Sequence, residues 1–554
     1  LENHFFFERN LLALARSDAP LCARLSAALT TRGTYKFLVS RSGAPVPAFV
    51  DRAGSAHPLH SLVDPHREAQ RLLATIQDGG FLLFLGLGGG YALEAALSRP
   101  DVQGVTVIEY GIDGVAELLA SMEYLRALSD PRFVLLVDPG AQTLRDHILS
   151  AYRPALSGGI SVIPLRTRVD QDPEAFEAAT RTVRAAINTV SEDYSVQAYF
   201  GKRWFANTLR NLDPASAAPF AIPPERRIIV TAAGPSLDLH LQTLRTDTAK
   251  RYLIATDTSL PALLAAGVRI DAVVSIDCQH ISYYHFMDGL PGEIPLFLDL
   301  ASPPVLASRS RMPRFFSGGH PLTQYISRHW RPLPLIDTSG GNVTYAAVSL
   351  ADALGADRIE LYGADFSYPE GDAYAKGTYI HPYYQRAQTR LAPLEALFVA
   401  FLFRNETLER RESDGTWRYE TKPLAGYRER LENLSPTLRA ELVVMPGRGA
   451  PIKLRPGKPA PRTIPLFSSG RSGIRVPEFL ALYRRRIARI PRLRGSVASY
   501  LAELNAEDRD VLTTLLPSAA AVRRREATKS AAETLEAVRS YCLDEIDRVL
   551  GSMG

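Results

Sequence analysis

Residues 227–238 read Arg-Ile-Ile-Val-Thr-Ala-Ala-Gly-Pro-Ser-Leu-Asp, an apolar strand that stops at a short turn and gives way to a helix. The turn Gly234-Pro235-Ser236 predicts Ser236 as the cap of that helix. A helix N-terminus also offers unpaired N–H groups to a phosphate. Downstream, short apolar runs recur at Tyr252–Ala255, Ala272–Ile276, Leu296–Leu300, Arg314–Ser317, Leu335–Asp337 and Arg358–Tyr362. Helical stretches separate them, so they predict parallel strands covered by helices on both faces. Arg410–Ser413 and Thr416–Thr421, flanking Asp414-Gly415, predict a hairpin.

The same alternation runs upstream. Phe81–Leu85, Val105–Glu109, Phe133–Asp138 and Ile160–Leu165 are apolar runs separated by helical segments. Between the first run and its helix stands Gly86-Leu-Gly88-Gly-Gly90, and Glu109 ends the next run, where Rossmann-type domains bind ribose hydroxyls. Gly86, Gly88, Gly90 and Glu109 are thus a second possible nucleotide site. The stretch resembles the first motif of S-adenosylmethionine-dependent methyltransferases, although Phe84 stands where that motif usually has an acid. A structural Rossmann unit is the expected role.

The chain of 554 residues is long enough for several domains. The expected division is a small α/β unit over 1–65, a Rossmann-like domain over 66–220 and a central α/β domain over 221–465. The proline-rich piece Phe220–Glu225 serves as linker, and an Arg/Glu/Ala-rich helical domain fills 466–554. The expected class is therefore α/β, two Rossmann-like parallel-sheet domains in tandem plus a C-terminal helical domain. With 46% hydrophobic and 22% charged residues, a mostly disordered chain is excluded. No apolar run reaches the roughly 18 residues of a membrane span, and Leu1–Asn10 has no basic segment followed by an apolar run. Cys22, Cys278 and Cys542 lie far apart, which predicts neither disulfides nor a zinc site and suits a reducing cytoplasm. A net charge of +5 is mild, and Arg484–Arg486 and Arg523–Arg525 lack interleaved aromatics. They read as solvated helix faces, and no nucleic-acid partner is expected.

In the central domain, polar residues gather where predicted strands end: Asp257 in Thr256-Asp-Thr-Ser259, Asp277 in Ser275-Ile-Asp, Thr338-Ser339-Gly340-Gly-Asn342, and Asp365 in Gly363-Ala-Asp. Carboxyl ends of parallel strands are where open α/β sheets hold ligands. The convergence predicts a nucleotide site.

These pieces, with Gly234-Pro-Ser-Leu237 and the hairpin around Trp417, make residues of about 225–455 resemble the central domain of the motility-associated factor (Maf) proteins. Those are glycosyltransferases acting on bacterial flagellin. The domain is also similar to bacterial sialyltransferases that use CMP-sialic acid. The resemblance implies that Gly234, Pro235, Ser236 and Ser339 hold CMP, with Asp257 near the sugar and Tyr368 and Tyr374 donating hydrogen bonds to the departing phosphate. Ala233 departs from the Asn of the sialyltransferases, and Tyr374 from the His of many Maf proteins.

The implied reaction is inverting, with a general base removing the acceptor proton as CMP leaves. His381, in Thr378-Tyr-Ile-His-Pro-Tyr-Tyr384, is the expected base, with His320 and His280 as rivals. The implied donor is a CMP-activated nonulosonic acid, such as pseudaminic or legionaminic acid, and the acceptor Ser or Thr of flagellin. No cofactor and no metal is expected. The central domain is similar as well to archaeal 6-hydroxymethylpterin diphosphokinases, for which Asp257, Asp277 and Asp365 would hold magnesium. A methyltransferase working through Gly86–Gly90, and a flagellin-binding scaffold without activity, complete the alternatives.

Overall fold

The computed structural model describes residues 2–28, 33–216, 226–287, 289–404, 408–413, 415–457 and 474–553. The expected linker Phe220–Glu225, the hairpin residue Asp414 and the boundary near 465 lie outside them. The chain divides into two compact units, Leu1–Gly201 with Arg486–Cys542, and Lys202–Arg485 with Leu543–Gly554.

The first unit opens with helices Glu2–Ala15 and Ala19–Ser26 and an antiparallel sheet of β1 (Tyr35–Val39), β2 (Pro45–Val50) and β3 (Ala56–Pro58). Next come β4 (Gly80–Leu85), β5 (Val102–Glu109), β6 (Phe133–Val137) and β7 (Ile160–Pro164), parallel throughout in the order β6-β5-β4-β7. Every residue of β4 is buried because both sheet faces are covered. Successive side chains alternate between faces, so Leu82 and Phe84 enter one core cluster while Phe81, Leu83 and Leu85 enter another.

The second unit holds a seven-stranded sheet in the order β12-β11-β10-β9-β8-β13-β17. Its strands are β8 (Arg227–Thr231), β9 (Tyr252–Thr256), β10 (Ala272–Ser275), β11 (Leu296–Asp299), β12 (Pro313–Phe316), β13 (Arg358–Tyr362) and β17 (Glu441–Val444), every pair parallel. A small antiparallel sheet of β14 (Tyr368–Pro369), β15 (Glu409–Ser413) and β16 (Thr416–Glu420) contains the expected hairpin. One expectation needs correction. The strand expected at Leu335–Asp337 is a single parallel bridge from Leu335 to Ser317, because the chain turns away after two backbone bonds. The edge strand β17 is additional to the apolar runs from which strands are predicted.

The chain is therefore mixed α/β, with two parallel sheets and helices at its C-terminal end. Those helices are Val476–Arg489, Val497–Glu503, Ala506–Arg525 and Ala531–Met553. Among the described residues, no helix is long and apolar enough to cross a membrane.

Candidate functional site

Each parallel sheet reverses its strand order beside its first strand, β4 next to β7 and β8 next to β13. Such a switch point leaves a crevice beyond the strand ends. Both glycine turns quoted above stand at one.

In the first unit the crevice is filled by the protein itself. Gly86 through Gly90 are buried. Their N–H groups are spent internally: Leu87 donates to Glu109 Oε2 at 2.8 Å and Gly89 to His60 Nε2 at 2.7 Å. The carbonyl of Gly88 accepts from the Tyr124 hydroxyl at 2.5 Å. A Cβ on Gly88 would stand 2.6 Å from His60 and 2.7 Å from Leu165. Glu109 is fully buried against Arg168, Nε to Oε1 2.9 Å. That guanidinium lies between the rings of Phe49 and Phe176, 5.2 and 5.1 Å from their centroids. Glu109, the acid of the second possible nucleotide site, is a counter-ion here.

In the second unit the turn is a clasp. The helix after β8 is a 3-10 segment, Pro235–Leu239, whose cap position is Gly234, without a side-chain cap. Ser236 lies inside it, which corrects the expected capping role. Its N–H and hydroxyl both donate to Asp365, at 2.8 and 2.5 Å, and its oxygen accepts the Arg448 N–H at 2.7 Å. The turn after β13 carries Phe366 at φ 44, a left-handed conformation uncommon for a bulky residue. It bends the chain so that Asp365 faces back onto Ser236. Burial pushes the Asp365 carboxyl up, and the Ser236 bonds partly offset this.

The same turn anchors the tyrosine segment. Ala375 N–H donates to the Ala233 carbonyl at 2.9 Å, and Lys376 N–H to Asp238 at 3.1 Å. Tyr374 and Tyr379 are thereby held together, centroids 6.4 Å apart, in an aromatic cluster with Tyr368, Phe398 and Phe401. Burial pushes the phenols of Tyr368, Tyr374 and Tyr379 up, and Asp257 adds to this at Tyr374 and Tyr379. They stay protonated, as donors. Asp257 itself is buried at the end of β9, taking the Ser275 hydroxyl at 2.6 Å and the Thr258 N–H at 2.7 Å. Asp277, past the end of β10, accepts the Gln279 N–H at 2.9 Å. Burial pushes its carboxyl up, Asp257 pushes the same way, and His285 pulls it down.

Asp257, Asp277, Tyr374 and Tyr379 are thus brought into one neighbourhood. Asp365 and Ser236 form another, and among the described residues no hydrogen bond joins Ser236 to Ser339. Ser339 is exposed and donates its N–H to Asp337 at 2.9 Å. Thr338 donates its hydroxyl to the Gly318 carbonyl at 3.0 Å, and Asn342 caps helix Val343–Ala353 by accepting the Tyr345 N–H at 3.0 Å. Its amide also donates to Gly340 O at 3.2 Å. His381 packs on Phe398, 5.0 Å between centroids, with Nε2 buried and unpartnered. Burial pulls its pKa down, while Asp238 and Asp372 push it up. His320 lies over Trp204 at 4.2 Å and His280 stacks on Tyr283 at 5.5 Å.

Three groups were missed by the sequence reading. Tyr379 and His285 stand edge to face at 4.5 Å. Asp299, at the end of β11, is fully buried with Oδ2 unpartnered. Only the strand-end position of Asp299 and the aromatic run Tyr283-Tyr284-His285-Phe286 after Asp277 gave a signal. Among the described residues, no three His, Cys, Asp or Glu side chains gather as a metal site.

Residues 202–371 match the family model described as 6-hydroxymethylpterin diphosphokinase MptE-like. The solved Maf glycosyltransferase of Magnetospirillum magneticum AMB-1 superposes over 99% of this chain and 96% of its own, with a TM-score of 0.56 and 13% identity. The chain has the Maf fold. An uncharacterized protein of Treponema pallidum (strain Nichols) is 34% identical over 161 residues, 28% of this chain, and the match spans 56% of that relative's length. A second uncharacterized Treponema protein is 30% identical over 140 residues, which are 25% of this chain and 67% of that relative. The chain belongs to the same family as this second protein. On the Maf fold, the matched MptE-like stretch runs through β8 to β13 and ends just after β14, so it includes the acids and Tyr368 but stops short of Tyr374 and Tyr379.

Proposed function

We propose that this protein is a glycosyltransferase that moves a nonulosonic sugar from a CMP-activated donor to Ser or Thr hydroxyls of flagellin, with inversion. The observation that carries the reading is the gathering of Asp257, Asp277, Tyr374 and Tyr379 beyond the strand ends of a sheet whose fold is that of a Maf glycosyltransferase. Sugar transfer from CMP breaks the bond between the anomeric carbon and the phosphate oxygen. It needs hydrogen-bond donors on the departing phosphate and an acceptor for the hydroxyl proton. Protonated, buried phenols supply the first. The Ser236–Asp365 clasp fixes the turn on which the Tyr374 segment rests.

Nucleotide binding tests the reading at once. A ligand that binds only the folded state adds RT ln(1 + [L]/Kd), about 2.7 kcal/mol at a hundred times Kd. CMP is expected to raise the melting temperature, and S-adenosylmethionine to leave it unchanged. Flagellin from cells lacking the gene is expected to lose the mass of the added sugar. Unaltered flagellin would refute the acceptor assignment.

The MptE-like match favours one alternative, transfer of diphosphate from ATP, with Asp257 and Asp277 as carboxylates toward magnesium. A melting shift produced by ATP with magnesium, and none by CMP, would select it.

A further inference from the structure

The segment after β10 carries an imidazole that nothing above employs. His285 is 8% exposed, at the end of the 3-10 helix His280–Phe286. Its ring stands edge-on to Tyr379, centroids 4.5 Å apart at 89°, and Tyr379 in turn faces Tyr374. Its Nδ1 is buried without a hydrogen-bond partner. Most buried polar atoms in folded proteins are hydrogen-bonded, so an exception calls for a reason, and a catalytic role is one.

The charged and titratable groups around it come from each packed element. Asp277 faces it from the end of β10. Tyr379 faces it from the start of helix Ile380–Ala387. His280, Tyr283 and Tyr284 share its own segment, and helix Leu260–Ala265, which packs on that segment, brings no titratable side chain. His381 keeps different company: Asp238, Asp372 and Lys376, none of them among the acids around Tyr374 and Tyr379.

We infer that His285 takes the proton of the acceptor hydroxyl, an inference that rests on the glycosyltransferase reading. The acceptor oxygen bonds to the anomeric carbon, its proton passes to the imidazole, and the bond from that carbon to the phosphate oxygen breaks. Both electrons leave with CMP, whose phosphate takes hydrogen bonds from the Tyr374 and Tyr379 phenols. The imidazolium formed is steadied by Asp277 and returns its proton to water. Imidazole accepts a proton near neutral pH without special tuning.

The test uses the full chain, a CMP-activated nonulosonic acid and unglycosylated flagellin. His285→Ala is expected to lower kcat by about a hundredfold or more, the usual scale for a general base, with the CMP melting shift kept. Added imidazole is expected to restore turnover to that variant, which a merely structural role would not allow. His285→Gln serves if the alanine variant fails to fold, and is expected to show the same loss in kcat at unchanged CMP binding. Wild-type turnover in either variant would overturn the inference. So would loss and imidazole rescue in His381→Ala instead. Wild-type protein that neither binds CMP nor transfers the sugar would overturn the glycosyltransferase reading, and this inference with it.

Discussion

Two glycine turns occupy the same topological place in two parallel sheets, yet they ended differently. After β4, the crevice is closed by side chains from four directions: His60, Tyr124, Leu165 and Arg168. The acid that could meet a ribose, Glu109, is bound to Arg168. After β8, the turn is also tied down, by Asp365 and Arg448, but the ties stop at the turn. Beyond the ends of the adjoining strands, carboxylates, phenols and an unpartnered imidazole are left facing one another. A Gly-rich turn at a switch point is thus a backbone solution, and whether it binds anything depends on what the neighbouring strand ends present.

The largest effect expected from this contrast lies in the first unit. Arg168→Ala leaves Glu109 as an uncompensated buried charge, which costs about 3–5 kcal/mol in urea-induced unfolding. Exchanging both partners for apolar residues, Arg168→Met with Glu109→Leu, is expected to recover only part of that loss, because the Leu87 and Tyr110 N–H groups lose their acceptor. A double variant as stable as the wild type would mean that the bonds Glu109 accepts from Leu87 and Tyr110 contribute nothing to the turn.

Ser236→Ala asks the same question of the second turn. It removes one of the two Ser236 donors from a buried carboxylate and an acceptor from the Arg448 N–H, for about 1–3 kcal/mol. Because Ala375 and Lys376 are hung on this turn, kcat for sugar transfer is expected to fall as well. Arg168→Ala, assayed where it remains folded, is expected to spare kcat. Loss of kcat in both would erase the distinction drawn between the turns.

The sequence made the strand-turn-helix restarts legible because burial on both faces writes β4 and β8 as continuous apolar runs. The hairpin β15–β16 was legible through its Asp-Gly turn. The edge strand β17 was not: Glu441-Leu-Val-Val444 is short and half-buried, and its partner β13 lies some eighty residues earlier. Asp257 and Asp277 could be placed by strand ends alone. The meeting of His285 with Tyr379 could not, since one follows β10 and the other follows β13, and only the folded sheet sets them side by side. Ser236 misled for a local reason. A Gly-Pro-Ser turn reads as an open cap, whereas Asp365, from a strand that is distant in sequence, consumes both donors.

The smallest effect is a slope, and it compares one histidine in each unit. Burial pulls the pKa of His147, whose Nε2 lies 2.9 Å from Thr106 Oγ1, below the ordinary imidazole value, and burial does the same to His381. In the window between the lowered and the ordinary value, the unfolded chain binds more protons than the folded one. Stability therefore rises with pH there, and is lost as pH falls below about 6.5. Melting temperatures measured from about pH 5 to 8 are expected to bend downward on the acid side. His147→Gln and His381→Gln should each flatten the bend in part. If His381→Gln flattens nothing in the apo protein but changes the bend once CMP is bound, then His381 meets the ligand, and the division of roles between it and His285 would have to be redrawn.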